Sequence, residues 1–264
     1  MSASARCRRI ACRRIAAAMV LALGSLPAPA PAQSRPPAAA LRPQDAPLSP
    51  LHEAHLFGEL ERADQRNRPQ VQRLPGPGGG TAITYRRQSG DPPLSPAELR
   101  RQLAHPPRYE QERSVILSLL QALRRLGVTL VMGPPRKTGA MAEWEPKSAV
   151  LRIRPDASSR GTRMFARILN HESIHVAQSC RAGSLRARPV PLGLPRPATA
   201  TLDRQLSHPV YAAAGPSERV VEQEAYANHN RLDLALSLLA RHCGRLPGHT
   251  AGSESGSRAR ATPP

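Results

Sequence analysis

The stretch GTRMFARILNHESIHVAQSC, residues 161–180, constrains this chain more than any other part of it. Phe165, Ile168, Leu169, Ile174, Val176 and Ala177 recur there at helical spacing, which predicts a helix with an apolar, half-buried face. Inside it lies NHESIH, residues 170–175. His171 and His175 are separated by about 400° of helix, so both imidazoles leave one face a single turn apart. Glu172 stands beside the first. Two neutral imidazoles in that relation are a ligand pair for a divalent ion such as Zn2+, and a neighbouring carboxylate is placed to deprotonate a water. In a loop the same residues would have had no common direction.

What surrounds this helix reads as one modest domain with irregular flanks. The 264 residues hold 29 prolines and only 3% aromatics, too little for two well-packed domains. Residues 1–32 have the form of a secretory signal peptide. Arg6, Arg8, Arg9, Arg13 and Arg14 precede a short apolar run from Ile15 to Leu23, and Ala28, Ala30 and Ala32 offer small-residue cleavage sites. The run is too short to span a bilayer comfortably. These features predict a secreted, periplasmic or cell-envelope location. Residues 33–94 read as a Pro/Gly-rich linker with a possible short helix, LHEAHLFGELERADQRN, and a possible strand over 81–86. His52 and His55 in that helix lack ligand spacing and are expected on a solvated face. Residues 244–264, rich in Gly, Ser, Arg and Pro, read as a disordered tail.

The domain expected over 95–243 opens with Ser95 as an N-cap and Glu98 three residues on. A longer helix follows over about 109–126, with Val115, Ile116, Leu119, Leu120, Leu123 and Leu126 on its buried side and Gly127 at its end. Val128 to Met132 reads as a strand, and 140–145 and 149–154 as two more. In the last of these Val150 and Ile153 do not alternate, so an edge position or mixed burial is expected. Trp144, the only tryptophan, is expected in the core. After the 161–180 helix comes a proline-punctuated segment, 181–216, of a length that is usually functional or disordered. Ser217 then looks like the N-cap of a helix reaching about His242. Outside the signal segment only Cys180 and Cys243 remain, and an even pair in an exported chain suggests a disulfide.

HESIH is the HExxH signature, and with the order helix, small sheet, signature helix it resembles the zincin metallopeptidases. The resemblance spans about residues 110–243 and rests on two short motifs. It implies an α+β fold: a minimal zincin-like core in which a small β-sheet packs with the HExxH helix and a C-terminal glutamate-bearing helix. It also implies that one of the strands 140–145 and 149–154 is an edge strand along which extended substrate pairs. A catalytic zinc takes three protein ligands and leaves one position open. Gln178 and Arg181 stand where the metzincin branch carries a glycine and a third histidine, so the resemblance narrows to the gluzincin type, with a glutamate from a later helix. VVEQEAYANH, residues 220–229, supplies an ExxA pattern that maps onto Glu222 and Ala225. Glu224 is the rival, about 200° round the helix, so both cannot face one ion. Val221, Ala225, Leu232 and Leu236 mark an apolar side near Glu222 and favour it.

On this reading His171, His175 and Glu222 are the metal ligands for Zn2+ and Glu172 is the general base in hydrolysis of a peptide or protein substrate. His229, seven residues beyond Glu222, is the first candidate to stabilise the oxyanion, with Tyr211 and His208 as others. Gln178 and Asn170 are expected to orient a ligand histidine or line the pocket. Two other readings are a zinc-binding module without proteolysis and a basic envelope protein in which HESIH is accidental. The net charge of +19 is compatible with electrostatic contact to anionic envelope surfaces. No interleaved aromatics or nucleic-acid motif accompanies it, so binding of DNA or RNA is not expected. Oligomeric state is not legible.

Overall fold

The computed structural model describes residues 41–75, 79–87, 93–212 and 214–244. The signal segment and all of the C-terminal tail except Gly244 lie outside the described residues. The fold is α+β: β1 (Ala46–Pro47), α1 (Glu53–Asn67), β2 (Gln70–Arg73), β3 (Thr81–Thr84), α2 (Pro96–Ala104), α3 (Glu110–Arg125), β4 (Thr129–Met132), β5 (Ala142–Glu145), β6 (Val150–Ile153), α4 (Thr162–Arg181), α5 (Ala200–Leu206), α6 (Pro216–Asn228) and α7 (Leu234–Cys243).

Helix α4 carries the HExxH signature and lies at the centre. Every residue from Leu169 to Cys180 is buried, polar ones included. The one-sided stripe expected from the sequence therefore understates the burial. Helices α3, α6 and α7 and strand β5 all pack on α4, so its polar residues sit between elements and must find partners there. Its start is built from a distance. Gly161, at φ +90°, has no side chain to cap the helix. Asp64 of α1 does so instead, accepting from the Thr162 N–H at 2.8 Å and from its hydroxyl at 2.6 Å. This carboxylate satisfies an orphan donor and sits at the positive end of the helix dipole.

The main sheet has the order β1-β4-β6-β5. Strand β6 runs parallel to β4 and antiparallel to β5, so it is an inner strand, buried at all four positions. The expectation of an edge or mixed burial fails because Arg152 is not on a wet face. Its guanidinium is wholly buried and ion-paired with Asp45 and Glu145, which allows a charge inside the sheet. Of the two strands β5 and β6 the edge one is β5, and it packs on α4.

The core also reaches upstream of residue 95, into a region whose composition reads as linker. Leu48, Leu56 and Leu60 join the same apolar cluster as α3 and α4, and β1 pairs with β4. His52 and His55 are exposed, as expected. Ser95 and Glu98 form the anticipated capping box. Downstream, α6 is capped by Gly215 with Pro216 in its first turn, not by Ser217. The helical pattern towards His242 breaks between α6 and α7. Asn170 holds that break, donating to the carbonyls of His229 (2.8 Å) and Arg231 (3.1 Å) and accepting from Ala235 N–H. Asn170 thus shapes the chain behind the site and does not orient a histidine. Cys180 and Cys243 form the disulfide, tying α4 to α7. Among the described residues no helix is long and apolar enough to cross a membrane.

Candidate metal centre

Two turns of α4 and one of α6 bring His171, His175 and Glu222 together. The two imidazole Nε2 atoms are 3.1 Å apart. Glu222 Oε2 lies 3.4 Å from that of His171 and 3.3 Å from that of His175. All three residues are buried. Four ligands placed tetrahedrally at zinc bond lengths of about 2.0–2.1 Å would stand roughly 3.3 Å from one another. The observed triangle has that edge. Glu222 Oε2 is also buried without a hydrogen-bond donor, an arrangement that costs free energy unless positive charge sits among the three atoms. Donor chemistry and spacing both fit a zinc-type ion.

The electrostatics express the same demand. Burial alone would raise the Glu222 carboxyl, but the imidazoles of His175 and His171 outweigh it and hold it far below the carboxylate range. For His175 burial opposes the charged form, yet Glu222 dominates and raises the imidazole to about 9. A proton or a cation can meet that demand.

Each of the three side chains has its own surroundings. Gln178 Nε2 donates to the Val221 carbonyl (3.2 Å) and to Glu224 Oε2 (3.1 Å). With both amide protons committed, Oε1 must be the atom that faces His175 Nδ1 at 2.7 Å. Nδ1 therefore carries the proton and Nε2 presents its lone pair to the centre. Gln178 thus fixes the orientation of the His175 ring. His171 has no such bond: its Nδ1 is buried without a partner, and the Tyr226 ring packs on it at 4.4 Å. Lys137 approaches the other oxygen of Glu222 at 3.6 Å while bonded to Glu218 at 2.8 Å.

Glu172 sits beside the triangle. Its Oε2 accepts from the backbone N–H of Trp144 at 2.8 Å, and burial raises its pKa against the pull of His171 and His175. Trp144 is core, as expected, with its indole donating to Ser179 at 2.9 Å, and it also walls the cleft. That cleft is further lined by Lys137, Arg188, Tyr211, His171, His175 and Glu222.

Glu224 is not part of the triangle; its carboxylate is taken up by Gln178 and by backbone N–H groups of residues 192–194. His229 is not among the cleft-lining residues. Its ring lies beyond Tyr226, 6.3 Å from His171 and 5.8 Å from Tyr226, and burial lowers its pKa to about 3. The seven-residue spacing from Glu222 is right for the helix face, but α6 ends at Asn228 and His229 is its C-cap, outside the residues that line the cleft. His208 is exposed and accepts from Val210 N–H. Of the three candidates only Tyr211 lines the cleft, and its hydroxyl lies 2.8 Å from that of Tyr226. Tyr226 was open to reading, four residues beyond Glu222 on the same face; Lys137 and Arg188 carried no signal.

The chain matches no protein-family model, no curated protein and no solved structure. What the site does must therefore be argued from its own residues.

Proposed function

We propose that this chain is an exported zinc-dependent metallopeptidase of gluzincin-like type. The single observation that carries the reading is the His171–His175–Glu222 triangle, of tetrahedral edge length, with Glu172 fixed beside it. Export is supported by the Cys180–Cys243 disulfide, which persists in oxidising compartments.

His171 Nε2, His175 Nε2 and Glu222 Oε2 would hold the ion, with Lys137 neutralising the remaining carboxylate oxygen. A zinc ion supplies Lewis acidity and brings the pKa of a bound water near neutrality. Trp144 N–H occupies Oε2 of Glu172 and leaves Oε1 to receive the proton of the attacking water. Burial favours the protonated carboxyl, so Glu172 can carry that proton and pass it to the leaving amine. Tyr211 is the donor to the developing oxyanion. Burial and the nearby Glu222 raise its phenol, so it remains protonated, and Tyr226 fixes its hydroxyl.

Substrate is read as an extended peptide along β5. The Arg154 N–H bonds Met141 O on the β6 side, and the Trp144 N–H points the other way, to Glu172. By strand alternation the amide and carbonyl of Ala142 also face outward, towards the cleft, and can pair with a peptide backbone.

The test is metal content of the purified protein, with Glu222→Ala and Glu172→Gln beside the parent. About one zinc per chain, lost in Glu222→Ala and kept in Glu172→Gln, with peptide cleavage only in the parent, is the expected pattern. A metal-replete parent without zinc would overturn the reading.

A further inference from the structure

Glu224 is among the most deeply buried carboxylates in the described residues, 1% exposed. It takes no part in the triangle or in the proposed chemistry. All of its partners are N–H donors. Leu192 N gives to Oε2 at 2.7 Å, Gly193 N to Oε1 at 2.7 Å, Leu194 N to Oε1 at 3.0 Å, and Gln178 Nε2 to Oε2 at 3.1 Å. Gly193 adopts φ +80°, which turns three successive amides inward as a concave anion cradle. The strap that forms it, residues 182–199, carries Arg188 and Pro189 to the cleft wall. Asn228 of α6 holds the same strap at the Pro195 carbonyl (2.9 Å).

We infer that Glu224 is a positioning residue that fixes the tautomer of His175 through Gln178 and, by the same carboxylate, seats the strap forming one cleft wall. The inference deepens the metal-site reading and rests on it. The chain of bonds runs from the amides of 192–194 through Glu224 to Gln178 and then to His175 Nδ1. Gln178 could otherwise turn its amide over. Its Nε2 would then donate to His175 Nδ1, moving the imidazole proton to Nε2 and removing the lone pair the metal needs. Glu224, together with the Val221 carbonyl, prevents that by accepting from Nε2 on the far side. A carboxylate is required because four donors converge on it. Glutamine offers one acceptor oxygen and would set its own N–H groups against those of the strap or of Gln178.

The test compares the zinc dissociation constant of the full chain with Glu224→Gln, Gln178→Leu and the double variant, by competition with a chromophoric chelator at neutral pH. The Co2+ absorption spectrum reports ligand geometry in each. Loss of a partner behind a metal-bound histidine typically costs about 10–100-fold in affinity, and that loss is expected in both single variants, with an altered Co2+ spectrum. Because the two residues act in series, the double variant should be no weaker than Gln178→Leu alone. A merely structural Glu224 would lower the melting temperature and leave the affinity and the spectrum of the folded protein alone. That result, or additive losses in the double variant, overturns the inference. Should Glu224→Gln not fold, Gln178→Leu decides it, since unchanged affinity there breaks the chain of bonds. A parent that binds neither metal overturns the metal-site reading and this inference with it.

Discussion

Reducing the Cys180–Cys243 bridge tests how far the site depends on the ends of α4 and α7 being tied. The bond joins residues 63 apart. In the chain-entropy account a crosslink over a loop of that length removes about 14 cal/mol/K from the unfolded chain, or about 4 kcal/mol at 25 °C. For a domain of this size that amounts to roughly 10 °C in melting temperature. The perturbation is the Cys180→Ser/Cys243→Ser double substitution, compared with the parent by calorimetry and urea unfolding. The entropic account places the effect in the unfolded state. Below its own melting point the variant should therefore keep the native packing of α4 and bind zinc about as tightly as the parent. A parent that releases two titratable thiols without reduction would refute the bridge itself. A variant of unchanged melting temperature would refute the entropic reasoning. A variant of the expected stability but much weaker zinc affinity would show that the bond acts in the folded state, holding the two turns of α4 that lead back to His171.

Other outcomes follow from single residues. Glu172→Gln should lower peptide turnover by about 10²–10⁴-fold, the span of general acid–base catalysis, with zinc content unchanged by elemental analysis; turnover near that of the parent would exclude Glu172 as the base. Gly161→Ala would place a Cβ 2.6 Å from Asp64 Oδ1 at φ +90°, so a loss of about 1–3 kcal/mol in urea unfolding is expected, and an unchanged midpoint would contradict it. Burial lowers His229 to about 3, against about 6.5 in the unfolded chain. Between those values the unfolded state binds the extra proton, so this group makes stability rise with pH across the window from about 3 to 6.5. His229→Gln should flatten the dependence of the urea midpoint on pH there, and parallel curves for the two proteins would refute the assignment.

How much of this was legible depended on how far each residue's partners lie along the chain. The i, i+4 histidines, the helix of α4 and the choice of Glu222 over Glu224 follow from helical geometry, which a sequence displays directly. The two cysteines were legible because so few candidates exist. The inner position of β6 was hidden, because Arg152 looks like a surface residue until Asp45, 107 residues away, is placed against it. The upstream boundary of the core was hidden for the same reason: α1 reads as a polar helix, and its Asp64 caps α4 across 98 residues. His229 shows where helical geometry misleads, since its spacing from Glu222 is right but α6 ends there. Glu224 combines both kinds of information. Its face disfavoured it against Glu222, which left open a carboxylate whose partners only the folded strap, packed against it from some 30 residues upstream, could disclose. The carboxylate disfavoured by its helix face is the one bonded behind His175 through Gln178.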